Sequence, residues 1–562
     1  MRKNYFKFLA AAMLVGMSFG LQSCDELDNP SGTVVEEEEQ SHGVTITADG
    51  ATFEISKLSD ITDFLETIKS EISKKAGSEF VIDVSASADL ATSSDENTIV
   101  IPELSDYNVT INMKTSLNTS AAPLTVKQSG EATTIFKNKV SVSFANDDVD
   151  LILDIPGTTV TLNKLNSLQI LNGLSVVKNG GAIKTFVWAP IKTEYFMNDG
   201  DSQWVLVTTA DGKEEYQPNV QPEKYEGESY KFKNLKIVKG EGDYAAVNAT
   251  SEKFALDKLI IAEGAVVVLN YYPWIKEIVG EGNGGILKSS DVWWDDSDKK
   301  LFATDFNFWQ VNKISNIIIE SFIPEEYKDG TLSRSTIYSA PANMEKCTFK
   351  FSYISFRDPE TATATVTRCN FEGTGDDQGV SISAPYQSDE IANFKFSFEK
   401  CMFAKGTKFS SGVQTSKPKL DSEGKEVYVD IYRWWTLDEN GNIDWNYWHS
   451  STSLDDVPAD KQEVGNTEYG WISDEETGYS APSKGYWIEQ QLVYEEVEYK
   501  DYYVYLAFNG CEYDGVDIKA EDIIVSYQSD FTGVFVRYEI DGKLYRALYD
   551  TENKVYKLVA TD

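Results

Sequence analysis

Several residue groups in this chain could do chemistry. Gly375-Asp376-Asp377-Gln378 sets two carboxylates side by side. Such a pair can divide acid and base duties in an inverting glycoside hydrolysis, and Asp-Asp in a Gly-rich stretch equally forms a polar loop. Trp434, Trp435, Trp445 and Trp448 crowd into residues 434–448. Tryptophan offers the largest flat platform for the apolar face of a sugar ring, and it also fills the core of a small β module. Cys347, Cys369, Cys401 and Cys511 could be metal ligands, redox thiols or packing. DENGNID (438–444) alternates oxygen-bearing side chains as calcium loops do. Its glycine is fourth where an EF-hand needs it sixth, and His449 stands at the twelfth position in place of glutamate, so a hairpin turn accounts for it better. Asp295-Asp296-Ser297-Asp298 and Asp376-Asp377 are further calcium candidates that read equally as solvated loops.

The cysteines are resolved by their surroundings. No C-x-x-C occurs, and the chain has 2 histidines, His42 and His449, so no zinc spacing exists. MEKCTF (344–349), VTRCNF (366–371), FEKCMF (398–403) and FNGCEY (508–513) share one pattern: apolar, two mostly polar residues, apolar, any, apolar. LSDYNV (104–109), LNSLQI (165–170), FKNLKI (232–237), LDKLII (256–261) and ISNIII (314–319) repeat it with Tyr, Leu or Ile in the cysteine slot. Cysteine there is an interchangeable apolar plug. The pattern predicts a bend followed by a short strand with alternate residues inward.

Short strands repeated at ragged intervals indicate a solenoid, whose units bury their faces only against neighbours. Leucine-rich repeats share the core pattern but need a regular period and helical returns. The repeat resembles instead the right-handed parallel β-helix of pectin-lyase-like proteins, which tolerate turns of unequal length. SDITDFLETIKSEISKKAG (59–77) has Ile61, Phe64, Leu65, Ile68 and Ile72 at helical spacing, as expected of a helix capping the open end. The expected fold is mainly β: a right-handed parallel β-helix over 44–412, an antiparallel aromatic-rich β insertion over 413–503, and a last coil with C-terminal hairpins over 504–562. The insertion holds 6 of the 12 tryptophans, and Asp541-Gly542 signals a two-residue hairpin turn. Stacked in successive coils about 4.8 Å apart, Cys347, Cys369 and Cys401 are expected to be reduced thiols in an interior ladder.

The resemblance raises the question of polysaccharide cleavage. The polygalacturonase branch pairs an Asp-Asp with a Gly-His-Gly, and only the first has a match, Asp376-Asp377. The lyase branch implies an Arg or Lys base, often with calcium, and Arg368 beside Cys369 is the candidate inside the repeat. No motif for a phosphate loop or a nucleophile elbow occurs.

The N-terminus speaks of place. MRKNYFK is a basic n-region and Phe8–Gly20 an apolar h-region, ending at Leu21-Gln22-Ser23-Cys24. This resembles the lipobox of bacterial lipoproteins, which implies removal of residues 1–23 and acyl chains on Cys24. Two or three such chains anchor stably. The acidic stretch 24–43 reads as a disordered tether and resembles the export signal of Bacteroides-type surface lipoproteins, which implies an outer-membrane protein facing the cell exterior. A formal charge of −39 excludes nucleic acid as a partner and disfavours acidic glycans. The expectation is a lipid-anchored surface protein that recognises a polysaccharide or surface partner without catalysis through Trp434, Trp435, Trp445 and Trp448. The alternatives are a divergent polysaccharide lyase or glycoside hydrolase, and a structural or adhesive protein.

Overall fold

Strands dominate because the sequence alternates. Phe80–Ala86 (FVIDVSA), Asn108–Met113 (NVTINM) and Gly379–Ala384 (GVSISA) bury every second residue, the period of a half-buried strand. The computed structural model describes residues 43–47, 50–75, 78–103, 107–129, 138–155, 158–162, 164–171, 176–179, 183–189, 194–196, 204–208, 214–218, 234–247, 249, 255–290, 292–295, 300–323, 334–373, 378–437, 443–466, 471–473, 480–482, 485–552 and 554–561. Cys24, the 1–23 segment and nearly all of 24–43 lie outside them. Val44–Asp562 is one compact unit.

The unit is mainly β and is built on long parallel sheets. One contains 16 strands, another 10, and two contain 7 each. The chain visits them in rotation. Lys313–Ser315 lies in the long sheet, Ile317–Ser321 in the ten-stranded one and Arg334–Ala340 in a seven-stranded one. Met344–Glu345, Thr348–Lys350 and Tyr353–Phe356 repeat the circuit. Each strand pairs in parallel with the strand one circuit later, so like positions stack. Ile314 faces Met344, then Val366, Phe398, Phe508 and Ile540 in turn. All six are buried in one hydrophobic core. In the later circuits aromatic rings take over: Phe349–Phe371 and Phe371–Phe403 stack at 5.2 Å and 5.0 Å.

The repeated hexamer marks the corner between the long and ten-stranded sheets. Its third residue is left-handed in the later circuits: Asn316 (φ 52), Lys346 (φ 55), Arg368 (φ 53), Lys400 (φ 53) and Gly510 (φ 57). The bend is held by the next circuit, with Lys346 N donating to Thr367 O (2.9 Å) and Arg368 N to Glu399 O (2.8 Å). The residue after it points inward, and there Cys347, Cys369, Cys401 and Cys511 are all buried and free. In LNSLQI and LDKLII the expected bend is absent. Those segments are single strands, Leu165–Ile170 and Leu256–Ile261. Asn166 and Ser167 N–H both point to Val149 O, two residues opposing one as in a bulge. The turn after Leu256–Ile261 is made further on, at Gly264 (φ 74). Apolar-x-x-apolar-x-apolar therefore encodes two backbones, because a bulge and a left-handed bend both separate the apolar positions by two outward residues.

The helical stretch divides into Ser59–Thr67 and Lys69–Ser73 around Ile68, and it buries Ile61, Leu65, Ile68 and Ile72 in the core. It packs against the early strands Gly50–Ile55 and Thr98–Ile101. At the other end Val534–Ile540 is the last parallel strand. The chain reverses at Asp541 (φ 45) and Gly542 (φ 80) into Lys543–Asp550, then into Val555–Ala560, both antiparallel. Two successive left-handed residues suit the twist of a two-residue hairpin. Between Val413, which ends Lys408–Val413, and Tyr502, which opens Tyr502–Asn509, the chain leaves the circuit. It forms an antiparallel pair, Ser416–Pro418 with Tyr494–Glu496, and a three-stranded antiparallel sheet of Ile443–Ser451, Tyr428–Leu437 and Trp487–Leu492. Among the described residues no helix is long and apolar enough to cross a membrane.

Candidate functional site

The insertion departs from one particular corner, where the seven-stranded sheet hands the chain back to the long sheet. The connections there are residues 308–312, 341–343, 357–362, 385–393, 414–501 and 529–533. Trp309 in the first is 54% exposed, and its turn is fastened from a later circuit. Arg357 donates from Nη1 to Trp309 O, and from Nη2 to Val311 O (3.1 Å) and Asn312 Oδ1 (3.2 Å). Asn307 Oδ1 accepts from Trp309 N, Val311 N donates to Phe308 O, and Asn312 N donates to Lys276 O. Burial draws the guanidinium below its ordinary value, against the pull of Glu360 and Tyr272. One circuit earlier, Tyr271 is also exposed, and its carbonyl accepts from Asn307 N at 2.7 Å. The corner thus presents Trp309 on a turn whose backbone is held by a fork of charge-assisted hydrogen bonds, with Tyr271 exposed on a separate turn one circuit earlier.

Next to this turn is the root of the insertion. Gln387 Nε2 donates to Lys500 O and Lys500 N returns to Gln387 Oε1, both 2.8 Å. Tyr502 donates to Pro385 O at 2.8 Å, Tyr499 donates to Gln414 O, and the two rings stack at 5.3 Å. Asp358 lies among them. Burial pushes its carboxyl above the ordinary range, and hydrogen bonds from Ser383 and Gln414 offset part of that. Burial, then Asp358, raises the Tyr499 phenol to about 12. Arg357 and Asp358 are neighbours with perturbed ionisation, the usual mark of a site. Their partners are main-chain carbonyls and root side chains, so the pair fastens structure.

In the insertion, Trp434 is 8% exposed and packs with Val457, Tyr486 and Tyr432 in a separate small core. Its ring stacks on His449 at 5.5 Å. Trp435 is half-buried and lies 6.3 Å from Trp487. Arg433 bridges to Glu489 at 2.7 Å. Trp445 and Trp448 belong to the strand Ile443–Ser451, with Trp448 opposite Trp435, and their side chains lie outside the described residues. The module therefore uses Trp434 for packing.

Arg368 is a left-handed bend residue on the rim, its guanidinium 4.0 Å from Glu345, rather than an outward strand residue. Asp376 and Asp377, Asp296-Ser297-Asp298 and residues 438–442 lie outside the described residues. Among the described residues no group of three or more His, Cys, Asp or Glu side chains is arranged to hold a metal ion. A pocket of about 190 Å³ under the loop Val238–Tyr244 is smaller than sites that enclose a ligand. Trp309, Tyr271 and Arg357 fall outside every repeat and motif, and the signal that marks them is the circuit that brings residue 357 beside residue 309. No protein-family model, curated protein or solved structure matches the chain.

Proposed function

We propose that the chain is a right-handed parallel β-helix, tethered by lipid on Cys24 to the outer membrane and facing the cell exterior, and that it binds a polysaccharide there without cleaving it. The rotation through three parallel sheets, with like residues stacked circuit upon circuit, supports the fold. The observation that carries the function is Trp309, exposed on a turn that Arg357 holds rigid. A large apolar ring in water has no value to the core. Held in one orientation, it loses little entropy on stacking against a sugar. The aromatic insertion rises from the same corner.

Native affinity electrophoresis of residues 44–562 through gels containing plant, host or microbial polysaccharides tests this. Retardation by at least one of them, lost in Trp309→Ala and with glycan length unchanged, is the expected result. Shortened glycan overturns the non-catalytic reading, and no retardation by any polysaccharide overturns the binding. Release of the full-length chain from the membrane fraction by Cys24→Ala tests the anchor.

A further inference from the structure

The outward face of the long sheet changes character along its length. In earlier circuits ion pairs cover it: Lys236–Glu281 (2.9 Å), Lys258–Glu277 (3.0 Å) and Lys276–Asp257 (2.8 Å). In Tyr502–Asn509 and Val534–Ile540 the same face carries Tyr503, Tyr505, Phe535 and Arg537. Register sets them in a square, with Tyr503 opposite Phe535 and Tyr505 opposite Arg537. The Tyr503 and Phe535 rings lie 5.1 Å apart at 27°, and Tyr503 and Tyr505 6.2 Å apart at 19°. The Arg537 guanidinium sits 5.5 Å from the Tyr503 ring centre and 5.7 Å from that of Phe535. Among the described residues its one hydrogen bond runs from Nη1 to Val536 O, and a guanidinium has five N–H donors. The core does not need these rings, since Tyr502, Val504, Val534, Val536 and Tyr538 fill the inward positions.

We propose that Tyr503, Tyr505, Phe535 and Arg537 form a second polysaccharide site, selective for neutral pyranose units, which acts with the Trp309 corner on a single polymer. The inference rests on the polysaccharide reading above. Ring surface serves the apolar face of a pyranose, and the N–H groups of Arg537 serve its hydroxyls. Neutrality follows from charge. Beside the square, Lys395 is matched by Glu539 at 2.7 Å. Arg537 is then the one cation of the square without a carboxylate partner among the described residues, and against that single charge a chain carrying −39 repels a polyuronate. The two sites share an edge: Tyr503 and Phe535 are the first outward residues after connections 414–501 and 529–533, in the same row of corners that holds Trp309. A polymer long enough to touch both gains by effective concentration, and a short oligosaccharide does not.

The test uses residues 44–562 with mixed-linkage glucan, xyloglucan, galactomannan and α-mannan as neutral probes and polygalacturonate as the anionic one. Phe535→Ala, and separately Arg537→Gln, weaken binding of the neutral polymer that retards the wild type by about tenfold, while circular dichroism stays unchanged. Trisaccharides of that polymer, too short to cross the four strand spacings of about 4.8 Å between the corners, lose the dependence on having both sites. If the variants bind the polymer as wild type does, or if only polygalacturonate binds, the second site is refuted while the polysaccharide reading stands. If the wild type binds none of the probes, both fail. Should Phe535→Ala misfold, Arg537→Gln decides alone.

Discussion

Arg357 and Trp309 are separated by 48 residues, yet the guanidinium of the first donates to the main-chain oxygen of the second and to the two residues that complete its turn. The side chain of Trp309 makes no part of the core, so the fork fixes the orientation of an exposed ring.

Arg357 is accordingly a positioning residue. Arg357→Lys replaces a planar fork, whose Nη1 and Nη2 reach different acceptors, with a single nitrogen that cannot reproduce that geometry. We expect it to lose polysaccharide retardation nearly as fully as Trp309→Ala, at a stability cost of about 1–3 kcal/mol. Trp309→Ala leaves the urea midpoint unchanged. Equal affinity in Arg357→Lys and wild type refutes the role.

The thiol ladder makes a second prediction. Cys401 Sγ contacts Val366 O at 3.4 Å and Cys511 Sγ contacts Phe398 O at 3.2 Å. The neighbouring Cys347 thiol, and then burial, push the Cys369 thiol well up; Cys511 and burial do the same to Cys401. The hydrogen bond with Cys401 instead draws the Cys511 thiol down, so burial of all four sets the expectation: residues 44–562 should show no thiol reactive toward a disulfide reagent at pH 8, and all four after unfolding in urea. Rapid reaction of the native protein would place these cysteines outside the core.

Arg368 tests the bend. A left-handed arginine costs about 1–2 kcal/mol, and a glycine there gives back about half of that in chain entropy. Arg368→Gly should therefore raise stability by about 0.5–1 kcal/mol and leave polysaccharide binding untouched. A loss of binding would make Arg368 a functional residue again, and a loss of stability would refute the strain at the bend.

Asp358 predicts a pH dependence. A carboxyl whose folded value lies above its unfolded one binds its proton more tightly when folded, so its stability contribution is complete below the unfolded value and declines as pH rises through the folded one. The insertion root should resist proteolysis better at pH 4, near the unfolded value of 3.8, than at pH 7.5, and Asp358→Asn should abolish the difference. At the alkaline end Tyr499 follows the same sign: its contribution falls from pH 10.0, its unfolded value, toward about 12. Resistance that rises from pH 4 to pH 7.5 contradicts the assignment.

What the sequence determined by itself was local. The cysteine slot was legible as core because its neighbours in the pattern are apolar in every copy, and the alternation of FVIDVSA or GVSISA needs no partner to be read. The Asp541-Gly542 hairpin and the helical face of Ile61, Leu65 and Ile72 were legible for the same reason. Even locally there was a limit: LNSLQI and MEKCTF share a pattern, and only backbone geometry separates bulge from bend. The tertiary structure alone decided which outward residues meet. Strand register over a gap as long as 414–501 brings Lys395 beside Tyr505 and Tyr505 beside Arg537, and the stacking of circuits brings Arg357 beneath Trp309. It also turned Trp434 into the small core against Val457 and Tyr486, although in the sequence Trp434 and Trp435 are equivalent. An aromatic residue in a strand announces surface to be covered, and whether the cover is the protein or a ligand depends on which side of the sheet faces the core.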